Sequence, residues 1–393
     1  MGAAAGSRWA VPALGFGAFA VGTCELVLAG VLADLSATFG VPVGVGGQVV
    51  TAFGLTCAVL APVLATASAR WPRRQVLLGA IGLYLLGVLA TALAPSFTAV
   101  LAAQMVAAAG AGLFLPTATV TASAVVAPHR RGRAIAVVTT GMTAATALGA
   151  PLGTAIGGIA GWRATMWFVA ALAGAAAIAL AVVVPGALPV STPEGLRARL
   201  RPLARTPVLL LLGTTLLAFT AVYIPYTYIS VVFAEATSGS GVLLAVLMAV
   251  LGVVGVVGNL GAGALADRFG GRAIVGTALI GVTGALLLMP AASTTLPTAI
   301  AVIAGYGLVG FAISTPQTHR LITTDPDSAA VLVALNAAAL YLAISSSGAV
   351  GAAGLGVVGA GGLGPLAAVF AVLALAVSEA AHRLSRQRAG TAG

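Results

Sequence analysis

Apolar stretches close to twenty residues long recur along the whole chain, and charged residues are nearly confined to the short runs between them. That is the spacing a bilayer imposes on helices, because about 20 residues rising 1.5 Å each cross a hydrocarbon core of roughly 30 Å. The pattern predicts twelve spans, near 10–33, 45–67, 75–94, 98–123, 134–159 and 165–184, and again near 207–233, 241–264, 273–291, 297–317, 329–355 and 362–381. Between the two sets, residues 185–206 place three prolines ahead of a basic amphipathic stretch. This predicts a cytoplasmic linker whose helix lies along the membrane surface. The organisation expected is a six-helix bundle over 1–184, the linker, and a second six-helix bundle over 207–393. The first apolar run continues past Glu25 without a small-residue cleavage site, so it reads as a retained first helix rather than a signal peptide.

Composition removes the soluble alternatives: 60% of the 393 residues are hydrophobic, 7% are charged, and the mean hydropathy is +1.12. A fold in water could not solvate such a surface. The formal net charge of +10 raises nucleic-acid binding, and the placement of the charge answers it. All 18 basic residues are arginines, and with the N-terminus inside the cell every one except Arg163 falls in a cytoplasmic segment. The positive-inside rule predicts this for an even number of spans with both termini cytoplasmic, and no nucleic-acid partner is expected.

Shifting the sequence by 198 residues lays Arg70 on Arg268, Arg74 on Arg272, Gly153 on Gly351 and Gly161 on Gly359, so the two halves are expected to be related repeats. The second-half turn reads Gly263-Ala-Leu265-Ala266-Asp267-Arg268-Phe-Gly270-Gly-Arg272. An aspartate at a helix end can face the positive N-terminus of a neighbour and pair with arginine, a latch that one conformation closes and another breaks. The competing reading is a solvated turn whose charges only set topology. The first-half counterpart keeps Arg70, Arg73 and Arg74 but has Ala69 in the aspartate position. A second string lies in the fifth span, Gly149-Ala-Pro151-Leu152-Gly153-Thr154-Ala-Ile-Gly157-Gly158, followed by Gly161-Trp162-Arg163. Its glycines let helices approach closely, and the proline removes a backbone bond and permits a bend.

The first string resembles the cytoplasmic signature of the major facilitator superfamily, and the second resembles the glycine-proline antiporter motif of its drug:proton exchangers. With Gly22-Thr-Cys-Glu25 through Asp34 in the first span, the chain is similar to the branch of bacterial exporters of chloramphenicol and arabinose-like sugars. The resemblance implies an all-α membrane protein of the major facilitator fold, with twelve helices in two pseudo-symmetric six-helix bundles. It also implies alternating access around a central cavity, with proton influx driving substrate out. The latch residues carried over are Asp267, Arg268, Arg272, Arg70 and Arg74. The antiporter motif is carried over as Gly149, Pro151, Gly153, Gly157 and Gly158.

Seven of the 8 acidic residues fall at helix ends or in loops, which leaves Glu25 alone deep within an apolar span, about 20 Å along its helix. An ionised carboxylate there is costly unless it faces a watery cavity or takes up a proton, which makes Glu25 the foremost candidate for proton coupling and substrate binding. A structural alternative is a protonated acid bonded to a neighbouring helix. Asp34 is either a second titrating site or a helix-end or gate residue. Tyr223, Tyr226 and Tyr228 cluster around Pro225, and the shift pairs Glu25 with Tyr223. The resemblance puts the first, fourth, seventh and tenth helices around the cavity, so these tyrosines either contact substrate or form an interfacial belt. Gln104 stands near the place where many drug:proton exchangers carry an intramembrane arginine. Gln104, Asn336 and Tyr341 complete the candidate substrate contacts, although a polar group at depth also serves as interhelical glue.

Such a lining, one acid and several tyrosines among apolar walls, suits a neutral or weakly cationic amphiphile better than a phosphate or dicarboxylate. Without lysine no nucleotide-binding loop of the G-x-x-x-x-G-K-[ST] type exists, and no zinc or triad pattern occurs. Cys24 and Cys57 lack metal-ligand spacing and read as small buried residues. No enzyme activity, cofactor or metal is expected. The function expected is proton-coupled efflux of a chloramphenicol-like drug or related metabolite. The alternatives are sugar export by the same fold and a non-transporting membrane receptor or assembly factor. The expected partners are protons, a small-molecule substrate and the lipid bilayer, for a monomer in a bacterial inner membrane.

Overall fold

A computed structural model of the protein describes residues 2–68, 70–186 and 201–391, with side chains for 9–68, 70–186 and 201–384. Among the described residues eleven helices are long and apolar enough to cross a membrane. They are α1 (Trp9–Thr38), α2 (Val43–Ala67), α3 (Arg73–Ala92), α4 (Phe97–Ala124), α5 (Pro128–Ala160), α6 (Trp162–Val183), α7 (Thr206–Thr227), α8 (Gly241–Phe269), α9 (Gly271–Ala292), α10 (Leu296–Thr324) and α11 (Pro326–Leu384). Several of their hydroxyls are satisfied locally: those of Thr23, Thr117, Thr214 and Thr220 each donate to the carbonyl four residues back. Ser96 and Ser240 cap α4 and α8, their hydroxyls accepting the N–H of Ala99 and Leu243.

The helices depart from the predicted spans where local chemistry intervenes. α1 runs about one turn past the expected end at 33, to Thr38, and α10 about two turns past the expected end at 317, to Thr324. α7 stops at Thr227, before the expected 233, and the chain turns through two four-residue helices, Ile229–Val232 and Ala234–Thr237. The last two predicted spans form one helical run of 59 residues in α11, interrupted at Gly359 with φ 68° and ψ −179°. A straight helix of that length would measure about 88 Å, nearly three bilayer cores. The positive φ of Gly359 is where the run turns, and a side chain there would strain the backbone. Of the linker expected over 185–206, residues 187–200 lie outside the described residues, as does Ala69 of the first-half turn, while Arg201–Ala204 at its end forms a short 3-10 helix.

The 198-residue repeat has a structural counterpart at several positions. Gly161, which ends α5, has φ +83°, matching Gly359 at the break in α11. Arg74 at the start of α3 donates through Nη2 to the Ala181 carbonyl near the end of α6, 2.5 Å away. Arg272, 198 residues later, reaches Glu379, which stands 198 residues after Ala181. Gly54 of α2 packs on the backbone of Tyr341 and Ser345 in α11, and Gly252 of α8 packs on that of Thr146 and Ala147 in α5. These two crossings obey the same shift.

The buried apolar residues fall into two large clusters. One draws on residues 11–184 and reaches across only to Ile344. The other draws on residues 218–374 together with Leu26, Ala29 and Leu32 of α1 and Ala145 and Ala150 of α5. Helices α1 and α5 therefore face the second set of helices, and this seam holds the candidate site.

Candidate functional site

Glu25 lies on the seam face of α1, half-buried. The Tyr341 hydroxyl of α11 donates to its Oε2 at 3.5 Å, joining the first six helices to the later ones. Tyr223 of α7 stands beside it, its ring 5.7 Å from that of Tyr226 in an edge-on arrangement. Tyr223 and Tyr341 both pack against the buried cluster of the first six helices that includes Cys57. The Tyr226 hydroxyl is committed to the Leu26 carbonyl at 3.0 Å, and that of Tyr228 to the Gly348 carbonyl at 2.6 Å. Tyr226 thus clamps α7 onto α1 one residue past the acid. Tyr228 is buried, which sets it apart from an interfacial belt.

The other expected substrate contacts stand elsewhere. Gln104 is fully buried among the first six helices, its Nε2 donating to Thr91 Oγ1 at 3.2 Å, with Cys24 Sγ 4.0 Å away. Asn336 sits near the start of α11, well before the break at Gly359. Its Oδ1 accepts from Thr215 at 2.8 Å, and its Nδ2 donates to Thr318 at 3.2 Å. In this conformation both act as interhelical ties.

The glycine-proline string packs α5 against α1 in parallel. A Cβ on Gly149 would run into the Thr23 hydroxyl, one on Gly153 would lie 2.6 Å from Val27, and one on Gly157 2.7 Å from Val31. Steps of four on α5 match steps of four on α1, so the backbones stay close over two turns. The five residues Ala145–Gly149 form a widened π turn just before Pro151, whose missing N–H the helix accommodates there. At the end of the string, Gly158 meets Gly241 at the start of α8, the Cβ position of one 2.8 Å from the Cα of the other.

Asp34 occupies the far end of α1, exposed, where its Oδ2 accepts the backbone N–H of Trp162 at 2.8 Å and caps α6. The Trp162 indole donates to Thr38 at 3.0 Å, and Arg163 donates to the Ala94 carbonyl at 3.1 Å while stacking 4.5 Å over the Trp162 ring. The Gly161-Trp162-Arg163 string therefore pins α6 to the ends of α1 and α3. At the opposite, arginine-bearing end, Asp267 is exposed and makes no ion pair among the described residues. Arg268 rests 5.3 Å over the Phe269 ring, and Arg70 is exposed. The partner of Arg272 is Glu379, gripped by both Nε and Nη2 at 3.0 and 2.5 Å. In this conformation the carboxylate that pairs with an arginine of the turn is therefore Glu379 at the end of α11 rather than Asp267. In the sequence Glu379 is one more helix-end acid, since its partner stands 107 residues away; the signal that points to it is its alignment with Ala181 under the repeat.

The hydrogen bonds that join the first six helices to the later ones are, among the described residues, those from Tyr341 to Glu25, Tyr226 to Leu26 and Thr154 to Met248. All lie at the depth of Glu25 or farther from the arginine-bearing end. The contacts of Gly158 with Gly241 and of Gly44 with Ala352 close the far end.

A family model, Major Facilitator Superfamily, matches residues 14–348. The chain is 33% identical over 252 residues to the chloramphenicol resistance protein of Streptomyces lividans, a match covering 63% of this chain and 64%, just under two thirds, of that protein. It is 26% identical over 349 residues to an uncharacterized transporter of the same type, YbcL of Bacillus subtilis (strain 168), covering 88% of each. Among solved structures, the nucleoside transporter NupG superposes with a TM-score of 0.75 at 11% identity, covering 95% of this chain and 99% of that one. The human organic anion transporter MFSD10 superposes at 0.68 with 18% identity, covering 95% and 99%.

Proposed function

The chain belongs to the major facilitator superfamily of transporters, and from that premise we propose that it is a proton-coupled exporter of an amphiphilic, neutral or weakly cationic compound resembling chloramphenicol. The observation that carries this reading is Glu25, an acid in the middle of a span, half-buried at the seam and bonded to Tyr341 across it. An acid that is alternately enclosed by apolar walls and opened to water takes up and releases a proton, and a cationic or hydrogen-bonding substrate competes for the same oxygens. Tyr223, Tyr226 and Tyr341 supply the aromatic walls. The likeness of 252 residues of the chain to a chloramphenicol resistance protein supports the choice of substrate.

In this reading the break at Gly359 divides α11 into two crossings, giving twelve in two bundles of six, 1–184 and 207–393, with 185–206 as the linker. Both termini and the arginine-rich turns are cytoplasmic, in a bacterial inner membrane, and the working unit is a monomer. The conformation described is then closed outward and open toward the cytoplasm. Glu25 titrates, whereas Asp34 serves as the cap of α6. Arg272 and Glu379 form the inner latch, with Asp267, Arg268, Arg70 and Arg74 available to it as the bundles move.

The test is proton release when chloramphenicol is added to the purified protein in weakly buffered detergent solution, with Glu25→Gln beside the parent. Release by the parent and none by the variant is the expected result. Release of equal size from both would remove Glu25 from coupling, and release from neither would remove chloramphenicol–proton exchange.

A further inference from the structure

A cavity of about 670 Å³ opens at the arginine-bearing end of the later helices, where Arg205 precedes α7, Arg272 begins α9, and Arg320, Thr323 and Thr324 end α10. His382 closes it from the end of α11, over an apolar floor that includes Leu211. Two of its three guanidinium groups have carboxylate partners: Arg205 pairs with Asp325 at 2.7 Å and Arg272 with Glu379. Arg320 has only neutral ones, donating to Gln317 Oε1 at 3.2 Å and to the Ser378 hydroxyl at 2.8 Å. Among the described residues no carboxylate oxygen lies within 4.0 Å of it. The cavity therefore carries more positive than negative charge before His382 is counted. Gly271 makes room for the Arg320 stem, since a Cβ there would stand 3.0 Å from Arg320 Cγ.

The internal repeat supplies a comparison within the same chain. Under the 198-residue shift, Arg205, Arg320, Thr323, Thr324 and His382 correspond to Ser7, Ala122, Val125, Val126 and Val184, and only Arg272 has an arginine counterpart, Arg74. The first half places its remaining arginines elsewhere, as at Arg70 in the turn before α3 and at Arg130, Arg131 and Arg133 in the first turns of α5. Topology alone does not call for basic residues in the walls of a cavity. The polar lining is particular to the second half.

We propose that this cavity binds a phosphate group, either the headgroup of an anionic phospholipid or a soluble phosphate. Arginine forks match phosphate oxygens in pairs, and a basic pocket at the mouth of a helix bundle is placed for a headgroup. The anion sits between Arg205 and Arg320, supplying Arg320 with a direct charge partner nearer than Glu379, which acts on it from beyond 4.0 Å. It ties the start of α7 to the end of α10 and holds that end of the later helices in the arrangement described. This role is separate from substrate export and does not depend on Glu25.

The experiment is thermal unfolding of the purified full-length protein in neutral detergent at fixed ionic strength. Inorganic phosphate and dioctanoyl phosphatidylglycerol are titrated separately, with dioctanoyl phosphatidylcholine as the zwitterionic control. The parent is run beside Arg320→Gln and Arg205→Gln; Arg205 is exposed, so its variant keeps the fold if Arg320→Gln does not. The parent's midpoint is expected to rise with the logarithm of anion concentration, and apparent affinity to fall roughly tenfold or more in each folded variant. A response to both anions assigns a soluble source, and a response to phosphatidylglycerol alone assigns the membrane. No rise in the parent, an equal rise in the variants, or an equal rise with phosphatidylcholine would overturn the site.

Discussion

Replacing Tyr226 with phenylalanine removes a single oxygen, and the geometry predicts which conformation suffers. The Tyr226 hydroxyl donates to the Leu26 carbonyl at 3.0 Å from a buried position, and it joins α7 to α1 where the far end is closed. Parting the two sets of helices at that end must break this bond. The Leu26 carbonyl keeps its bond within α1, so the variant leaves no orphaned acceptor, and the loss is the net worth of one neutral hydrogen bond, about 0.5–1.5 kcal/mol. In a two-state equilibrium that shifts the ratio of far-end-open to far-end-closed molecules by about 2- to 13-fold, given RT of about 0.6 kcal/mol. The assay is the distance distribution between spin labels on Val45→Cys and Val242→Cys, exposed positions at the far-end starts of α2 and α8, in a Cys24→Ala, Cys57→Ala background. Tyr226→Phe should enlarge the long-distance population by that factor. An unchanged distribution, or one moved toward shorter distances, would refute the assignment of the bond to the closed state.

Two further outcomes follow from the packing of α1. Gly153→Ala should slow efflux from proteoliposomes and Gly153→Leu should abolish it, since a Cβ already lies 2.6 Å from Val27 and overpacking costs about 1–3 kcal/mol; normal efflux by the leucine variant would show that α1 and α5 need not stay in contact. Asp34→Asn keeps an oxygen for the Trp162 N–H and should retain both stability and the pH dependence of transport. Asp34→Ala should lose about 0.5–2 kcal/mol in thermal unfolding, and loss of pH dependence in the asparagine variant would return Asp34 to proton coupling.

The helices were legible because the bilayer demands a long apolar run whatever the neighbours are, and Glu25 was legible because a lone acid in such a run has few structural uses. What it touches was not. Tyr341 lies 316 residues away, and hydropathy gives no direction to a side chain around its helix. Gln104 shows this: it is as polar as a cavity residue should be, yet its helix turns it toward Thr91 and Cys24 inside the first six helices. Asp34 and Trp162 were each singled out, on separate strings, but their hydrogen bond depends on how two helix ends meet in space. The repeat reaches further, since it aligns Gly161 with Gly359, and both have a positive φ.

The parallel pairing of α1 with α5 also sets an order of events at the ribosome. The small face of α1 that receives Gly149, Gly153 and Gly157 is synthesised about 126 residues before them. At 5–20 residues per second the first helix therefore waits roughly 6–25 s for α5, and longer for Tyr341. During that interval Glu25 must be tolerated in lipid or in the translocation channel without the neighbours that later enclose it. A first helix whose other residues near the acid are apolar or small, with no second charge between Arg8 and Asp34, is suited to that wait.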